Sequence, residues 1–208
     1  MRHTITLAST LLAACTAVAA AADPAIPSPW EARLLGGVVP GYDAGYGGVD
    51  QRIGSSGELV VLYRRPLAGA PLDLLLGAGV FDDTRRGKAN DPDNITQYDA
   101  QGIVLTGGVA YRMITPLSLE ARVEVRGGEG RFSGEQTFAN GNYEVLGNYG
   151  RYIAVSAVVA AYYELPRAVS VGVEVGFDDF EGKSEYINDT LSLRGDGLLV
   201  RLGLGYRF

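Results

Sequence analysis

Charged side chains of both signs recur at every second position of this sequence, and they are the residues that could do chemistry. The clearest run is Glu120, Arg122, Glu124 and Arg126. Other apolar stretches also carry charged residues at every second position, on the side opposite their apolar residues. They extend the set to ten residues: Arg33, Glu58, Arg64, Arg112, Glu120, Arg122, Glu124, Arg126, Glu174 and Arg201. Because a buried charge is costly unless it is paired and hydrogen-bonded, we expect these side chains to form an internal salt-bridge network.

Such a network has two interpretations. It could line a polar conduit for water or small ions, or it could fill the interior as a polar plug that holds the strands in register. We favour the plug. Acid–base catalysis by Glu120 and Glu124 is not expected, because residues four apart on a strand lie about 13 Å from each other.

Histidine and cysteine each occur once, as His3 and Cys15, inside an N-terminal segment expected to be removed. Serine–histidine or cysteine–histidine catalysis is therefore excluded for the remaining chain, as are metal sites built on imidazole or thiolate. We predict no enzymatic activity, no catalytic residues, no metal site and no cofactor. Without Arg2 the chain carries 17 basic and 24 acidic residues, which gives no reason to bind nucleic acid.

The elements that must position these charges are β-strands. From Leu198 to Phe208 apolar residues alternate with small or charged ones, which is typical of a strand with unlike environments on its two faces. The pattern recurs and predicts eight strands, at 31–42, 57–65, 72–80, 103–112, 117–126, 151–163, 169–177 and 198–208. These lengths are close to the roughly 9–11 residues that a tilted membrane strand needs.

The N-terminus predicts export. Arg2 and His3 precede an apolar segment from Ile5 to Val18, and small residues follow it, so residues 1–22 are expected to be a signal peptide. Residues 23–30 are expected to be a short periplasmic lead-in. Leu12-Ala13-Ala14-Cys15 also resembles a bacterial lipobox, so lipidation at Cys15 remains an alternative to simple cleavage.

The predicted connections alternate in length. Short turns follow the second, fourth and sixth strands, whereas about 43–56, 82–101, 127–149 and 178–196 are long. The long segments are rich in glycine, asparagine and acids such as Asp82, Asp83 and Asp178, which we interpret as solvated loops. Short turns at one end and long loops at the other are typical of an outer-membrane barrel.

On these residues the chain resembles the small eight-stranded bacterial outer-membrane β-barrels, such as the transmembrane part of outer membrane protein A. The resemblance covers residues 33–208 and is sharpest at the ending Leu202-Gly203-Leu204-Gly205-Tyr206-Arg207-Phe208. It implies an all-β, antiparallel transmembrane barrel over residues 31–208, with short periplasmic turns and long extracellular loops. It also implies that Tyr206 and Phe208 form the signal that the barrel-assembly machinery recognises.

These observations predict a monomeric protein of the bacterial outer membrane, in contact with its lipid and lipopolysaccharide, with a structural, envelope-integrity or surface-interaction role. Tyr63, Tyr111, Tyr163 and Tyr206 are expected to form an aromatic girdle on the lipid side. Two alternatives stay open at this point. One is a narrow porin-like channel, and the other is a soluble ligand-binding barrel of lipocalin type, in which the apolar parity would face inward.

Overall fold

A computed structural model describes residues 28–39, 42–44, 50–88, 95–113, 116–138, 141–146, 148–186 and 189–208. The predicted signal peptide and residues 23–27 of the lead-in lie outside these ranges. The described part of the chain forms no helix of the length and apolar character needed to cross a membrane.

The architecture is a closed antiparallel barrel, which confirms the predicted fold class. The strands are β1 (Trp30–Val39), β2 (Tyr42–Ala44), β3 (Asp50–Pro66), β4 (Leu72–Lys88), β5 (Ile95–Arg112), β6 (Leu117–Phe138), β7 (Gly141–Leu146), β8 (Gly150–Glu164), β9 (Val169–Tyr186) and β10 (Asp189–Arg207). Eight of them form the wall in the order β1-β3-β4-β5-β6-β8-β9-β10, and the pairing of β1 with β10 closes it. The short strands β2 and β7 pair with β10 and β6 beyond the ends of this ring.

The closing seam runs from Glu31 opposite Arg207 to Val38 opposite Val200 without a register shift. Closure gives every wall strand a hydrogen-bonded neighbour on both sides. A β-sheet in lipid has to close into a barrel, because hydrocarbon offers no hydrogen-bond partner to the backbone groups of an open edge.

Burial along the strands places the apolar parity outside. In β8 the side chains alternate strictly between exposed and buried from Arg151 to Ala160. The exposed large apolar residues surround the barrel as a belt: Leu34, Val38, Leu76, Val80, Ile103, Leu105, Val109, Leu119, Val123, Val125, Ile153, Val155, Val159, Val171, Val173, Val175, Phe177, Leu198, Leu202 and Leu204. The lipocalin-type alternative is therefore wrong, because a ligand-binding calyx would need these apolar side chains to face the interior of the barrel.

The strands are longer than predicted, and the predicted long loops are largely wrong. Residues 82–88, 95–101 and 178–186, for example, continue β4, β5 and β9. Beyond the apolar belt the outward-facing side chains become polar, as at Asp82 and Asp179, so the alternation of apolar and polar residues ends although the strand continues. The acidic residues of these segments consequently lie on barrel strands, and some of them point inward.

The turn between β8 and β9 is strained. Arg167 and Ala168 have φ angles of 66° and 59°, in the left-handed region that residues with a Cβ adopt at a cost. Two consecutive residues of this kind are typical of a type I′ hairpin turn, where Asn-Gly is the favoured pair.

Replacing Ala168 with glycine is therefore expected to stabilise the barrel, by about 1 kcal/mol, because the left-handed conformation is no longer strained. Urea unfolding of the protein folded in detergent micelles measures this. The control is Leu67→Gly, in the turn between β3 and β4. Leu67 has no positive φ, so this substitution is not expected to stabilise the barrel. A loss of stability in Ala168→Gly would contradict the assignment of strain to this turn.

Candidate functional site: the charged lumen

The lumen holds three clusters of charged side chains, which we name by their position. The mouth cluster lies at the end of the barrel that carries the short turns, where β1 begins and β10 ends. It consists of Glu31, Arg33, Arg64 and Glu120. The middle cluster consists of Glu58, Arg122, Glu124, Glu174 and Arg201. The outer cluster consists of Asp83, Arg85, Arg126, Tyr152, Ser156 and Asp178. All of these side chains are buried.

The mouth cluster joins β1, β3 and β6 across the barrel. Arg33 donates from Nη1 and Nη2 to the two oxygens of Glu120, at 2.6 and 2.7 Å, and from Nε to Glu31 at 2.8 Å. Arg64 donates to the same two carboxylates, at 3.0 Å to Glu31 and 2.5 Å to Glu120. Two guanidinium groups and two carboxylates thus balance in charge within one layer.

The middle cluster is organised around Arg201 of β10. Its Nη2 donates to both oxygens of Glu124 at 2.8 Å, and its Nε donates to Glu174 at 3.0 Å. Its Nη1 lies 2.6 Å from Glu58 Oε1 as an ion pair without hydrogen-bond alignment. Arg122 supplies the second cation of the cluster and donates to Glu174.

The outer cluster is centred on Arg126. Its Nη1 donates to Asp83 at 2.6 Å, and its Nη2 donates to Ser156 at 2.6 Å and to Asp178. Arg85 donates to Asp178 at 2.6 Å, and the Tyr152 hydroxyl donates to Asp83 at 3.0 Å. The arrangement holds two aspartates between two arginines, again with balanced charge.

Aromatic rings pack around the outer cluster and fill the lumen at this level. The ring centroids of Phe81 and Tyr152 are 5.5 Å apart, and those of Tyr98 and Phe132 are 4.8 Å apart. The Arg85 guanidinium lies over the Phe180 ring at 5.0 Å. Together with the charged clusters, these side chains occupy the interior from the mouth to the polar part of the wall.

Glycines on the inner face make room for two tyrosine rings. A Cβ added at Gly172 would lie 2.5 Å from Cδ1 of Tyr162, and one added at Gly182 would lie 2.5 Å from Cζ of Tyr98. Tyr162 is held in place, since Arg33 lies 3.8 Å over its ring and its hydroxyl donates to Glu174 at 2.5 Å. Part of the glycine content of the chain is therefore a packing requirement of the narrow lumen.

Replacing Gly172 with alanine is accordingly expected to lower the free energy of unfolding by about 1–3 kcal/mol, through overlap with the Tyr162 ring. The matched control is Gly36→Ala, whose added Cβ meets no atom within 4 Å because it points outward from β1. Both variants are compared by urea unfolding. Equal stability of the two variants would show that the lumen has room that the packing around Tyr162 does not indicate.

Nine of the ten residues predicted to carry the network are buried, and Arg112 is the exception. The Arg112 side chain is 49% exposed at the short-turn end, where its Nε lies 3.1 Å from Asp73. The expectation that Arg112 lies within the lumen is thus wrong: it occupies the last residue of β5, where the wall ends and water reaches the side chain.

Sequence reasoning missed five buried charges: Glu31, Asp73, Asp83, Arg85 and Asp178. Glu31 and Asp73 occupy inward-facing positions of the predicted strands 31–42 and 72–80, so the alternation alone could have identified them. Asp83, Arg85 and Asp178 lie in segments interpreted as loops, and only the longer strands place them inside. Their acidic neighbours Asp82 and Asp179 point to the opposite face.

Among the side chains whose burial the structure describes, every buried cation is an arginine, although the chain also contains two lysines. A guanidinium presents five donors in a fixed plane and can bind two carboxylates at once, as Arg33 and Arg201 do. The clusters therefore suit static, multivalent pairing. Among the described residues, no histidine, cysteine or acidic side chains are grouped so that three or more could hold a metal ion.

The fold is similar to that of solved outer-membrane proteins. The outer membrane protease OmpT from Escherichia coli matches with a TM-score of 0.50 at 11% sequence identity, over 87% of this chain and 94% of that chain. The outer membrane protein OprG from Pseudomonas aeruginosa has a TM-score of 0.49 at 10% identity, over 88% and 97%. Neisserial surface protein A has a TM-score of 0.47 at 8% identity, over 86% and 96%.

No protein-family model matches the chain, and no curated protein matches it in sequence. At such low identity the likeness to OmpT is one of fold. It confirms, at that level, the resemblance to outer-membrane β-barrels that the alternating strands and the C-terminal segment indicate.

Proposed function

We propose that this chain is an integral protein of the bacterial outer membrane whose closed, charged interior gives it a structural or surface-interaction role. The observation that supports membrane insertion most directly is the exposed apolar belt. Leu202, in the middle of the apolar belt on β10, is 68% exposed, and similar side chains follow around the barrel. An apolar patch of this extent marks an interface rather than a surface in water.

The composition of the lumen supports a non-conducting role. Four arginines of the clusters (Arg33, Arg85, Arg126 and Arg201) and the side chains of Tyr98, Tyr152, Tyr162 and Phe180 are each less than 2% exposed, and the other two arginines are also buried. An eight-stranded barrel has an interior just wide enough for side chains to fill. The paired charges would therefore act as a plug that ties distant strands together, and the narrow channel is the less favoured alternative.

A non-enzymatic role is part of the proposal. OmpT is named as a protease, but its likeness to this chain concerns the fold, and the chain's single histidine lies at position 3. The buried carboxylates of the three clusters lie within ion-pair distance of arginines and are held away from solvent. Such groups are placed for stability rather than for proton transfer.

The proposed partners are the lipids of the membrane and the barrel-assembly machinery. Tyr206 is exposed on the lipid side of β10, and the backbone N–H of Phe208 donates to the carbonyl of Trp30 at 3.2 Å across the closing seam. A recognition segment at this place would be read before the seam closes. Tyr206 and Phe208 therefore remain the proposed assembly signal, and the monomer remains the proposed state.

The test combines insertion with conductance. The purified chain is refolded into phosphatidylcholine vesicles, where insertion is followed by heat-modifiable migration in gels, and single-channel currents are recorded in planar bilayers. We expect a folded, inserted protein without steady conductance, and the same for Glu120→Ala and Glu124→Ala. Steady single-channel currents from the wild type would favour the porin-like alternative, whereas recovery as a soluble protein without detergent would overturn membrane insertion.

A further inference from the structure

The charges of the lumen balance in two of the three clusters and not in the third. The mouth cluster and the outer cluster each hold two guanidinium groups and two carboxylates. The middle cluster holds three carboxylates, Glu58, Glu124 and Glu174, against the guanidinium groups of Arg122 and Arg201, and all five side chains are buried. Because an uncompensated charge is strongly unfavourable in a dry interior, the excess anion of the middle cluster has to be neutralised.

Glu58 of β3 differs from the other carboxylates of the clusters in its contacts. It is buried, yet it alone among them accepts no hydrogen bond from a described residue. Its Oε1 lies 2.6 Å from Nη1 of Arg201 and 3.8 Å from Nε of Arg126, without hydrogen-bond alignment at either. Glu124, by contrast, accepts hydrogen bonds from Arg201 at 2.8 Å with both of its oxygens. The excess carboxylate of the middle cluster is therefore Glu58.

The two cations that face Glu58 are shared with other groups. Arg201 of β10 and Arg126 of β6 each donate hydrogen bonds to two further carboxylates. These carboxylates, with the tyrosine that donates to one of them, come from four strands: Glu124 of β6, Glu174 and Asp178 of β9, Asp83 of β4 and Tyr152 of β8. From β1, the residue directly opposite Glu58 in the sheet is the apolar Leu35. Glu58 thus lies where carboxylates outnumber the cations that they share.

An acceptor without a donor lies beside Glu58. Apart from the Glu58 oxygens, Oδ1 of Asp83 is the one carboxylate oxygen of the three clusters that is buried and accepts no hydrogen bond from a described residue. Glu58 pairs with Phe81 of β4, and Asp83 lies two residues farther along the same face, so the two carboxyl groups are diagonal neighbours. Two carboxylates can only accept hydrogen bonds, whereas a protonated carboxyl group can also donate one. A single proton would therefore balance the middle cluster and supply a donor at this place.

We propose that the barrel takes up one proton when it folds, and that Glu58 carries this proton as a neutral carboxylic acid in the lumen. Glu124 and Glu174 then balance Arg122 and Arg201, as in the other two clusters. Unfolding exposes Glu58 to water, where a glutamate is ionised above about pH 5, so unfolding releases the proton. A rise in pH consequently favours the unfolded chain until the folded protein also loses the proton. The middle cluster is thus a pH-sensitive element, which goes beyond the proposed role of a static plug.

The first experiment compares urea unfolding of the full chain and of Glu58→Gln in detergent micelles, because glutamine keeps the shape of a neutral carboxyl group. We expect the two proteins to be equally stable near pH 4, and Glu58→Gln to become the more stable one as the pH rises. The ratio of their unfolding equilibrium constants should change by up to about tenfold per pH unit. The matched control is Glu124→Gln in the same cluster, which removes a charged partner of Arg201. At about pH 6 it should raise the unfolding equilibrium constant about a hundredfold or more.

Infrared spectroscopy gives a second readout that does not depend on stability or on the folding of Glu124→Gln. At about pH 6, where a glutamate in water is ionised, the folded wild type in an ester-free detergent should show the C=O stretching band of a protonated carboxylic acid. Glu58→Gln should lack this band.

Three results would overturn the inference. One is the absence of the carboxylic acid band from the folded wild type. Another is a loss of stability in Glu58→Gln as large as that in Glu124→Gln, which would make Glu58 a charged partner of Arg201. The third is a wild type that is stabilised over Glu58→Gln by sodium chloride and not by choline chloride, since a bound metal ion would then supply the missing positive charge.

Discussion

Replacing Arg201 with methionine is expected to lower the free energy of unfolding by about 3–5 kcal/mol, because a buried cation is removed from three carboxylates. Glu124 and Glu174 lose direct hydrogen bonds from Arg201, and Glu58 loses its 2.6 Å ion pair. Methionine keeps most of the volume, so the loss would come from uncompensated charge. Urea unfolding of the protein in detergent micelles, followed by tryptophan fluorescence of Trp30, measures the change.

Two further variants separate charge from packing in this prediction. Arg194→Met removes an arginine that is exposed together with its partner Asp179, so it should cost at most about 1 kcal/mol. The triple variant Arg201→Met, Glu124→Gln, Glu174→Gln removes the cation and two of its anions together, and should recover much of the stability. If the triple variant is as unstable as Arg201→Met alone, lost packing rather than charge explains the effect.

Replacing Leu202 with arginine is expected to cost about 2–4 kcal/mol, since the side chain projects outward at the middle of the apolar belt, at membrane depth. Refolding yield and urea unfolding in phosphatidylcholine vesicles measure this cost. If the belt faced water, a substitution at a position 68% exposed would change stability by only about 0.5 kcal/mol. The size of the effect therefore distinguishes a lipid surface from a soluble one.

The matched control for Leu202→Arg lies on the same strand. Asp196 of β10 also projects outward but lies beyond the apolar belt, where the outward-facing side chains are polar. Asp196→Arg should leave stability within about 0.5 kcal/mol of the wild type, as at a surface in water. An equal cost at both positions would mean that β10 tolerates no arginine for reasons unrelated to lipid, and the depth argument would fail.

The salt-bridge clusters connect the closing seam to the opposite wall. Arg33 of β1 binds Glu120, and Arg201 of β10 binds Glu124, so both strands of the seam are tied to β6. These pairs join residues 87 and 77 positions apart in the chain. The charges are thus satisfied only when the barrel is closed in this register, which is a physical reason for a sequence to keep so many charges inside.

Much of the fold could be predicted because period-2 alternation is a local property. Leu198, Leu202 and Leu204 follow one face of β10, while Arg201 and Gly203 follow the other, and no knowledge of the partner strands is needed to see it. The predicted strands end too early for the same reason. At Asp82 and Asp179 the outward face becomes polar, the contrast between the faces disappears, and the alternation no longer signals a strand.

The sequence alone determined the strand class, the inward parity of the charges and the absence of histidine or cysteine chemistry beyond residue 22. Only the tertiary structure decided which charges meet. Asp83 and Asp178, interpreted as loop acids, bind Arg126 in the lumen, whereas Arg112 lies half in water at the mouth. The physical reason is that pairing across a barrel depends on register, closure and strand length together, and these are properties of the whole sheet rather than of any one strand.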